Sequence, residues 1–206
     1  MTFGFRRLST IGVIASAAFG LAACGSSSSS TTKSSSTPAA TSSSAPATVI
    51  GRSTSVVVNP AITAALKHAD ITIAAVPPAS AKTHTLLIFP TSSGQIATAT
   101  VTGTVYDTGG LTFSHAGKSV KLTNFVVNTS TKQLTAEVGG QQVVVFDLNL
   151  ASLKRATGPN GTVVGSDIKL TTSPQLASSL NSGLGVTTFK GGQNFGTLTL
   201  TIAVKP

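Results

Sequence analysis

From about residue 49 onward, apolar and polar residues alternate with a period of two. Threonine alternates with small or apolar residues across Thr98–Val105, and leucine and isoleucine alternate with threonine across Thr197–Val204. Successive side chains of a β-strand point to opposite faces, so this pattern is typical of strands that bury one face. A further buried face of this kind is predicted for Val144, Phe146, Leu148 and Leu150.

Glycine-containing segments separate these runs at short intervals. They are Asp107–Gly110, His115–Lys118, Gly139-Gly140 and Pro159–Gly161. Glycine adopts the positive φ that tight turns require, and Gly139-Gly140 is the clearest hairpin signal. The pattern therefore predicts an all-β fold, an antiparallel β-sandwich, with a closed barrel as the open alternative.

Two short helices are predicted among the strands. Asn59-Pro60 and Ser173-Pro174 each place an N-cap residue before a proline at the first helical position. We expect the second helix to end at Gly183. The residues expected to face the core are Ile62, Ala65 and Leu66 in the first helix, and Leu176 and Leu180 in the second.

The N-terminus has the features of an export signal. Arg6 and Arg7 precede an apolar run, Ile11–Ala23. That run is shorter than the roughly 20 residues that a helix needs to cross about 30 Å of hydrocarbon, which is typical of a signal peptide. The run ends in Leu21-Ala22-Ala23-Cys24, which resembles the lipobox of bacterial lipoproteins. The resemblance implies cleavage before Cys24 and attachment of lipid to its sulfur.

These features divide the chain into three predicted regions. Residues 1–23 are the predicted signal peptide, and 24–48 are the lipidated cysteine with a tether rich in serine and threonine. Such a composition buries too little apolar surface to offset the entropy of ordering, so we expect a flexible tether. Residues 49–206 are the predicted β-rich domain. The expected location is the outer face of the cell membrane, held there by lipid.

The polar inventory of the predicted domain argues against an enzyme. It contains four aspartates, one glutamate and three histidines, and Cys24, the only cysteine of the chain, lies outside it. No nucleophile elbow, phosphate-binding loop or zinc-protease motif occurs in the sequence. Asp147 and Asp167 are predicted to be surface residues. His68 and Asp70 alone are too few to specify a metal site.

The positive charge limits the expected partners. The chain has 14 basic and 5 acidic side chains, but the lysines are scattered singly, and tryptophan is absent. Nucleic-acid binders cluster basic residues and interleave aromatic ones, so nucleic acid is not an expected partner. We expect the membrane to be a partner through the lipid anchor, along with anionic envelope polymers or a surface protein.

A series of segments in the second half of the chain resembles a known surface module. The segments are Val120–Asn124, Leu134–Val138, Val144–Leu150, Gly161–Val163, Leu170-Thr171, and Gly191 or Gly192 before the last strand. In order and spacing they are similar to the HtaA-type domain of actinobacterial surface proteins. That resemblance implies a β-sandwich-like module of haem uptake systems.

The resemblance also identifies candidate haem ligands. In haem-binding members the iron-ligating tyrosine lies in an N-terminal Ser-Phe-x-x-Tyr segment, whereas the corresponding region here, Asn59–Asp70, contains no tyrosine. The chain therefore looks like a divergent member. The candidate ligands that the chain offers instead are Tyr106, its only tyrosine, and His68, His84 and His115.

Three functions remain open from the sequence. The leading hypothesis is a non-enzymatic lipoprotein module that binds a partner or supports the envelope, without a cofactor. The alternative is a haem-binding surface protein in iron acquisition. The third is a carrier of an apolar ligand such as lipid, in a cavity lined by phenylalanines. Those residues, which core packing would equally account for, are Phe89, Phe113, Phe125, Phe146, Phe189 and Phe195.

Overall fold

Twelve β-strands and two α-helices make up the part of the chain that the computed structural model describes, residues 45–83 and 85–205. The predicted signal peptide, Cys24 and nearly all of the predicted tether lie outside these residues. The strands are β1 (Ala47–Val58), β2 (Thr72–Val76), β3 (Ser80–Ala81), β4 (Leu86–Ala97), β5 (Thr102–Asp107), β6 (Gly110–His115), β7 (Lys118–Asn128), β8 (Gln133–Val138), β9 (Gln141–Asn149), β10 (Lys154–Thr157), β11 (Thr162–Thr172) and β12 (Asn194–Val204). The helices are α1 (Pro60–His68) and α2 (Pro174–Leu184).

Eight of the strands close into an antiparallel barrel. Around the ring the order is β7, β5, β4, β1, β12, β11, β9 and β8, and β8 pairs with β7 to complete the circle. The predicted all-β antiparallel fold with two short helices is thus confirmed, and the sheet takes the barrel form that the sequence left open. Ring closure leaves no unpaired edge among these eight strands.

Four further strands lie off the ring. β6 pairs with β7 and carries β2 on its other side, while β10 pairs with β11 and the short β3 pairs with β4. The β2–β6 pair therefore extends the sheet past the barrel wall, which creates a recess beside the barrel.

The barrel interior is filled by the inward faces of the strands. Leu198, Leu200 and Ile202 of β12 are completely buried, as their alternation predicts. Two buried phenylalanine pairs lie there, with ring centroids 5.0 Å apart for Phe89–Phe125 and 4.6 Å for Phe146–Phe195. The other two phenylalanines are also buried but lie off the ring, where Phe113 of β6 packs 5.8 Å from Phe189. A barrel of about eight strands is just wide enough for side chains to fill it.

The four predicted turns lie between strands where they were expected. Gly139 and Gly140, with φ of 59° and 82°, form the two-residue connection between β8 and β9. Two positive φ values in a row are typical of the type I′ turn, whose twist matches that of the flanking strands.

Two of the strand predictions are wrong in detail. Thr98–Val101 is a turn and not part of a strand, with Val101 at φ 56°, so β5 begins only at Thr102. In β9 the buried residue is Val145 and not Val144, because the register between β8 and β9 shifts by one residue beside Leu134. An irregularity of this kind places two consecutive residues, here Val145 and Phe146, in the core, which alternation does not reveal.

Both helices begin at the predicted caps. The side chain of Asn59 accepts a hydrogen bond from Ala61 N at 2.9 Å, and that of Ser173 accepts one from Leu176 N at 3.0 Å. The second helix ends at Leu184, with Gly185 in the left-handed conformation at φ 71°, two residues beyond the predicted Gly183.

The two helices differ in how much they bury. α2 buries Leu176, Ala177, Leu180 and Leu184, whereas α1 buries only Leu66 fully, and its expected core residues Ile62 and Ala65 are half-buried. Neither helix, nor any other described segment, is long and apolar enough to cross a membrane as a helix.

Candidate functional site

A large recess lies between the first helix and the ends of β1 and β4. Its volume is about 890 Å³, within the range of about 300–1,000 Å³ that is usual for small-molecule sites. We call it the groove. Its lining residues are Val58, Thr63, Leu66, Lys67, Asp70, Ile71, Thr72, Ile73, Ala81, Lys82, Thr83 and Leu87.

The turn between α1 and β2 positions one wall of the groove. Ile71 N donates to Leu66 O at 2.9 Å, which closes the end of the helix, and Asp70 takes a positive φ of 51°. The turn places Leu66 and Ile71, both buried, next to Ile73 of β2. This wall therefore presents the apolar side chains of Leu66, Ile71 and Ile73 together with polar ones.

The segment after β3 positions another wall. Lys82 N donates to Leu86 O at 2.9 Å, and Leu86 N donates to the Thr83 hydroxyl at 3.0 Å. These two bonds fix the backbone of Lys82 and Thr83 beside Leu87. A cation thus lies on this wall, and Lys67 supplies one from α1.

The charge of the groove is positive overall. Lys67 and Lys82 are its basic lining residues, and Asp70 is its acidic one among the described residues. A groove that combines apolar side chains with two ammonium groups suits a ligand that is largely apolar and carries carboxylates.

The candidate haem ligands predicted from the sequence differ in their position relative to the groove. His115, half-buried, has Nδ1 3.4 Å from the carbonyl oxygen of Asp70, so it borders the groove at the α1–β2 turn. His68 is exposed in the last turn of α1, one residue after Lys67. His84 lies outside the described residues, directly after the groove residue Thr83.

Tyr106 does not line the groove. It lies on β5 with 47% of its surface exposed, and it points away from the barrel interior, since its neighbours Val105 and Asp107 are buried. The structure therefore brings His115 close to the groove and leaves Tyr106 on another part of the surface.

The remaining polar candidates are surface groups. Asp147 is exposed on β9, and Asp167 forms an ion pair with Lys154 at 2.9 Å on the outer side of β11. Among the described residues, no three histidine, aspartate or glutamate side chains are arranged to hold a metal ion.

The space among the phenylalanines is small. A cavity of about 20 Å³ lies inside the barrel, lined by Phe89, Phe125, Phe146 and Phe195 together with other core residues. A volume of this size has room for a water molecule but not for a lipid chain. The interpretation of the phenylalanines as core is therefore the one that the structure supports.

Sequence reasoning missed one buried carboxyl group at this cavity. Asp107 was assigned to a turn, yet it ends β5 with only 4% of its surface exposed. Burial raises the pKa of Asp107 to about 6, and the hydroxyls of Thr54 and Thr91 act in the opposite direction. The alternation of β5 could have revealed this burial, because Asp107 lies two residues after the buried Val105 and so faces the same side of the strand.

Comparison with solved structures identifies proteins of similar fold. No protein-family model and no curated protein matches the chain. Among solved structures, the C-terminal domain of HtaA from Corynebacterium glutamicum matches with a TM-score of 0.59 at 15% identity, over 77% of this chain and 99% of that one.

A second solved structure is similar to a smaller extent. It is the domain-swapped dimer of a histidine-to-alanine variant of the same HtaA domain, with a TM-score of 0.50 at 14% identity, over 69% of this chain and 90% of that one. Likeness at such low identity establishes architecture alone. The described domain thus has the fold of the HtaA C-terminal domain, as the order of its segments predicted.

Proposed function

We propose that the domain is a non-enzymatic binding module of an exported, lipid-anchored surface protein, and that its ligand occupies the groove. The observation that carries the proposal is the groove itself, about 890 Å³ with an apolar floor and two lysines. A groove of this size gives the binding hypothesis more support than a purely structural role in the envelope. The ligand class that fits is a large, mostly apolar molecule with carboxylate groups.

Haem is the first candidate for this ligand. Its macrocycle is broad and apolar and its two propionates are anionic, so it matches both the floor and the lysines of the groove. The fold likeness to an HtaA domain points in the same direction. The fit in size and charge is therefore good.

The iron ligand is the part of the fit that the groove does not supply by itself. None of the described residues that line it is a histidine, tyrosine, cysteine or methionine. The ligand would have to come from outside this lining: His115 contacts Asp70, and His84, which lies outside the described residues, follows Thr83 in the sequence. We expect His115 or His84 to fill this role, ahead of His68 and Tyr106.

Titration of hemin tests the haem proposal. We would use the whole chain with Cys24→Ser, which cannot be lipidated, and record the Soret band against free hemin. A saturable shift at one hemin per chain is expected, and either His115→Ala or His84→Ala should move the band. Tyr106→Phe serves as the control that leaves the spectrum unchanged. A spectrum identical to free hemin at every ratio would contradict haem binding.

A second candidate is a metal-free apolar anion such as a fatty acid. The observation that favours it is the lack of an iron ligand among the described lining residues. Native mass spectrometry of the protein purified from its host would show a bound acid of a few hundred daltons. If hemin does not bind and no such acid is found, the binding function of the groove is contradicted.

The anchor is tested separately from the ligand. Cys24→Ala should move the protein from the membrane fraction to the soluble exported fraction, because the sulfur that carries the lipid is removed. A conservative change in the predicted tether, such as Ser28→Ala, is the matched control. Retention of the Cys24→Ala chain in the membrane fraction would overturn the lipoprotein assignment.

A further inference from the structure

The barrel interior contains a small polar cluster among its phenylalanines. Thr54 of β1, Thr91 of β4 and Asp107 of β5 are 1%, 7% and 4% exposed. The three strands are neighbours in the barrel, and Thr91 is paired directly with Asp107 in the ladder. Three polar side chains so deep in a closed barrel require hydrogen-bond partners, because water outside does not reach them.

The hydrogen bonds within the cluster are incomplete. Thr91 Oγ1 donates to Asp107 Oδ1 at 2.7 Å, which satisfies one carboxyl oxygen. Thr54 is near enough to Asp107 to lower the pKa of the carboxyl, yet its Oγ1 has no hydrogen bond of good geometry among the described residues. A hydroxyl so deeply buried and so incompletely paired indicates a missing partner.

The cavity of about 20 Å³ lies where that partner would be. Both Thr54 and Asp107 line it, and all its other lining residues are apolar. A cavity holds a water molecule when it exceeds about 10–15 Å³ and offers at least two polar partners. We infer that the barrel interior binds one water molecule, held between the Thr54 hydroxyl and the Asp107 carboxyl.

The electrostatic surroundings agree with this assignment. Asp107 is the only titratable group among the described residues that line the cavity, so no cation there compensates its charge. Burial raises the pKa of Asp107 to about 6. The water would therefore accept a hydrogen bond from the neutral acid below this pH and donate one to the carboxylate above it.

The water site lies between the barrel and the groove. Leu87 lines both the cavity and the groove. Asp107 also begins the turn in which Gly109 packs against Ala79, immediately before β3 and the groove residues Ala81–Thr83. A water that completes the hydrogen bonds of Thr54 and Asp107 would thus stabilise the contact between the barrel and the groove wall formed by Ala81–Thr83.

A crystal structure at high resolution, with matched variants of the full chain carrying Cys24→Ser, tests the inference. One density peak within hydrogen-bond distance of Thr54 Oγ1 and Asp107 is expected in the parent and in Thr54→Ser. The peak should be lost in Thr54→Val, which has the same shape without the hydroxyl. A parent structure in which the Thr54 hydroxyl bonds directly to Asp107, with no peak in the cavity, would overturn the inference.

Oxygen-17 relaxation provides a second readout and needs no crystal. A slowly exchanging internal water is expected in the parent and in Thr54→Ser, and its signal should be lost in Thr54→Val. If Thr54→Val fails to fold, the signal of the parent alone keeps the test decisive. Absence of that signal from the parent, or its persistence unchanged in Thr54→Val, would contradict the water site.

Discussion

Two spaces that the described residues line, the barrel interior and the groove, differ in volume by a factor of more than forty. The interior retains about 20 Å³ among paired phenylalanines, whereas the groove beside α1 opens to about 890 Å³. A closed barrel of eight strands has an interior that side chains fill, so it is a core and not a ligand chamber. A ligand of the size proposed above therefore fits only where the sheet leaves the barrel, and not inside the ring.

The geometry of the added elements explains why the groove stays open. β2 extends the sheet through β6, and β3 attaches to β4, so neither strand belongs to the ring. The helix between β1 and β2 buries only Leu66 fully. These elements and the ends of β1 and β4 therefore leave a concave surface between them.

The largest expected effect comes from the barrel interior. Phe146→Ala removes a ring that is 2% exposed and packs 4.6 Å from Phe195, so we expect a loss of about 3–5 kcal/mol in the free energy of unfolding. Ile73→Ala in the groove, where the side chain is half-buried, should cost about 1–2 kcal/mol. Urea denaturation compares the two variants. Equal losses would contradict the distinction between core and groove.

The next effect is the pH dependence set by Asp107. Its pKa is raised to about 6 in the folded state, so the folded state binds the proton more tightly than the unfolded chain. The stabilisation is complete below about pH 4 and is lost as the pH rises through 6, which amounts to about 3 kcal/mol. Denaturation at a series of pH values should show this decline in the parent. Asp107→Asn should abolish it, and a decline that persists in the variant would assign it to other groups.

A smaller effect should distinguish the two helix caps. Ser173 is buried, accepts from Leu176 N and donates to Val144 O at 2.6 Å, so Ser173→Ala should cost about 2 kcal/mol. Asn59 begins the helix beside the groove and makes its cap bond at an exposed position, so Asn59→Ala should cost about 0.5–1 kcal/mol. Thermal or urea unfolding measures both. A larger cost for Asn59→Ala would contradict the view that α2, and not α1, is integral to the core.

The smallest effect on stability is expected at the groove lysines. Lys67→Glu and Lys82→Glu change exposed side chains, so stability should hardly change, while the affinity for an anionic ligand should fall several-fold in each. Lys169→Glu, an exposed lysine on β11 away from the groove, is the control with no effect on affinity. Higher salt should reduce the difference between groove and control variants. Equal loss of affinity in all three would show that only the overall charge of the protein matters.

Local patterns predicted the parts of this fold that depend on neighbours in sequence. The alternation of β12, the Gly139-Gly140 hairpin and the caps at Asn59 and Ser173 each rest on a few adjacent residues, and each is confirmed. The order of segments also predicted the HtaA-type fold. Closure of the barrel was left open because it depends on pairings between strands distant in sequence, such as β1 with β12, which no local pattern specifies.

The parts that the sequence did not reveal depend on distant contacts. Val145 replaces Val144 in the core because of a register shift opposite another strand. Asp107 lies on the inward-facing side of β5, but the glycines that follow it led to its assignment to a turn. The groove combines α1 with the ends of β1, β2, β3 and β4. None of these segments has a sequence motif that would have predicted the recess.

The most direct test of the account is a comparison of two identical substitutions in a hemin titration. Ile73→Glu places a carboxylate in the groove, whereas Ile50→Glu places one on β1, where the parent side chain is already 59% exposed. With folding of both variants verified by circular dichroism, we predict that Ile73→Glu weakens hemin binding at least tenfold and that Ile50→Glu leaves it unchanged. Equal affinity in the two variants, or hemin binding unaffected by Ile73→Glu, would contradict the assignment of the ligand to the groove.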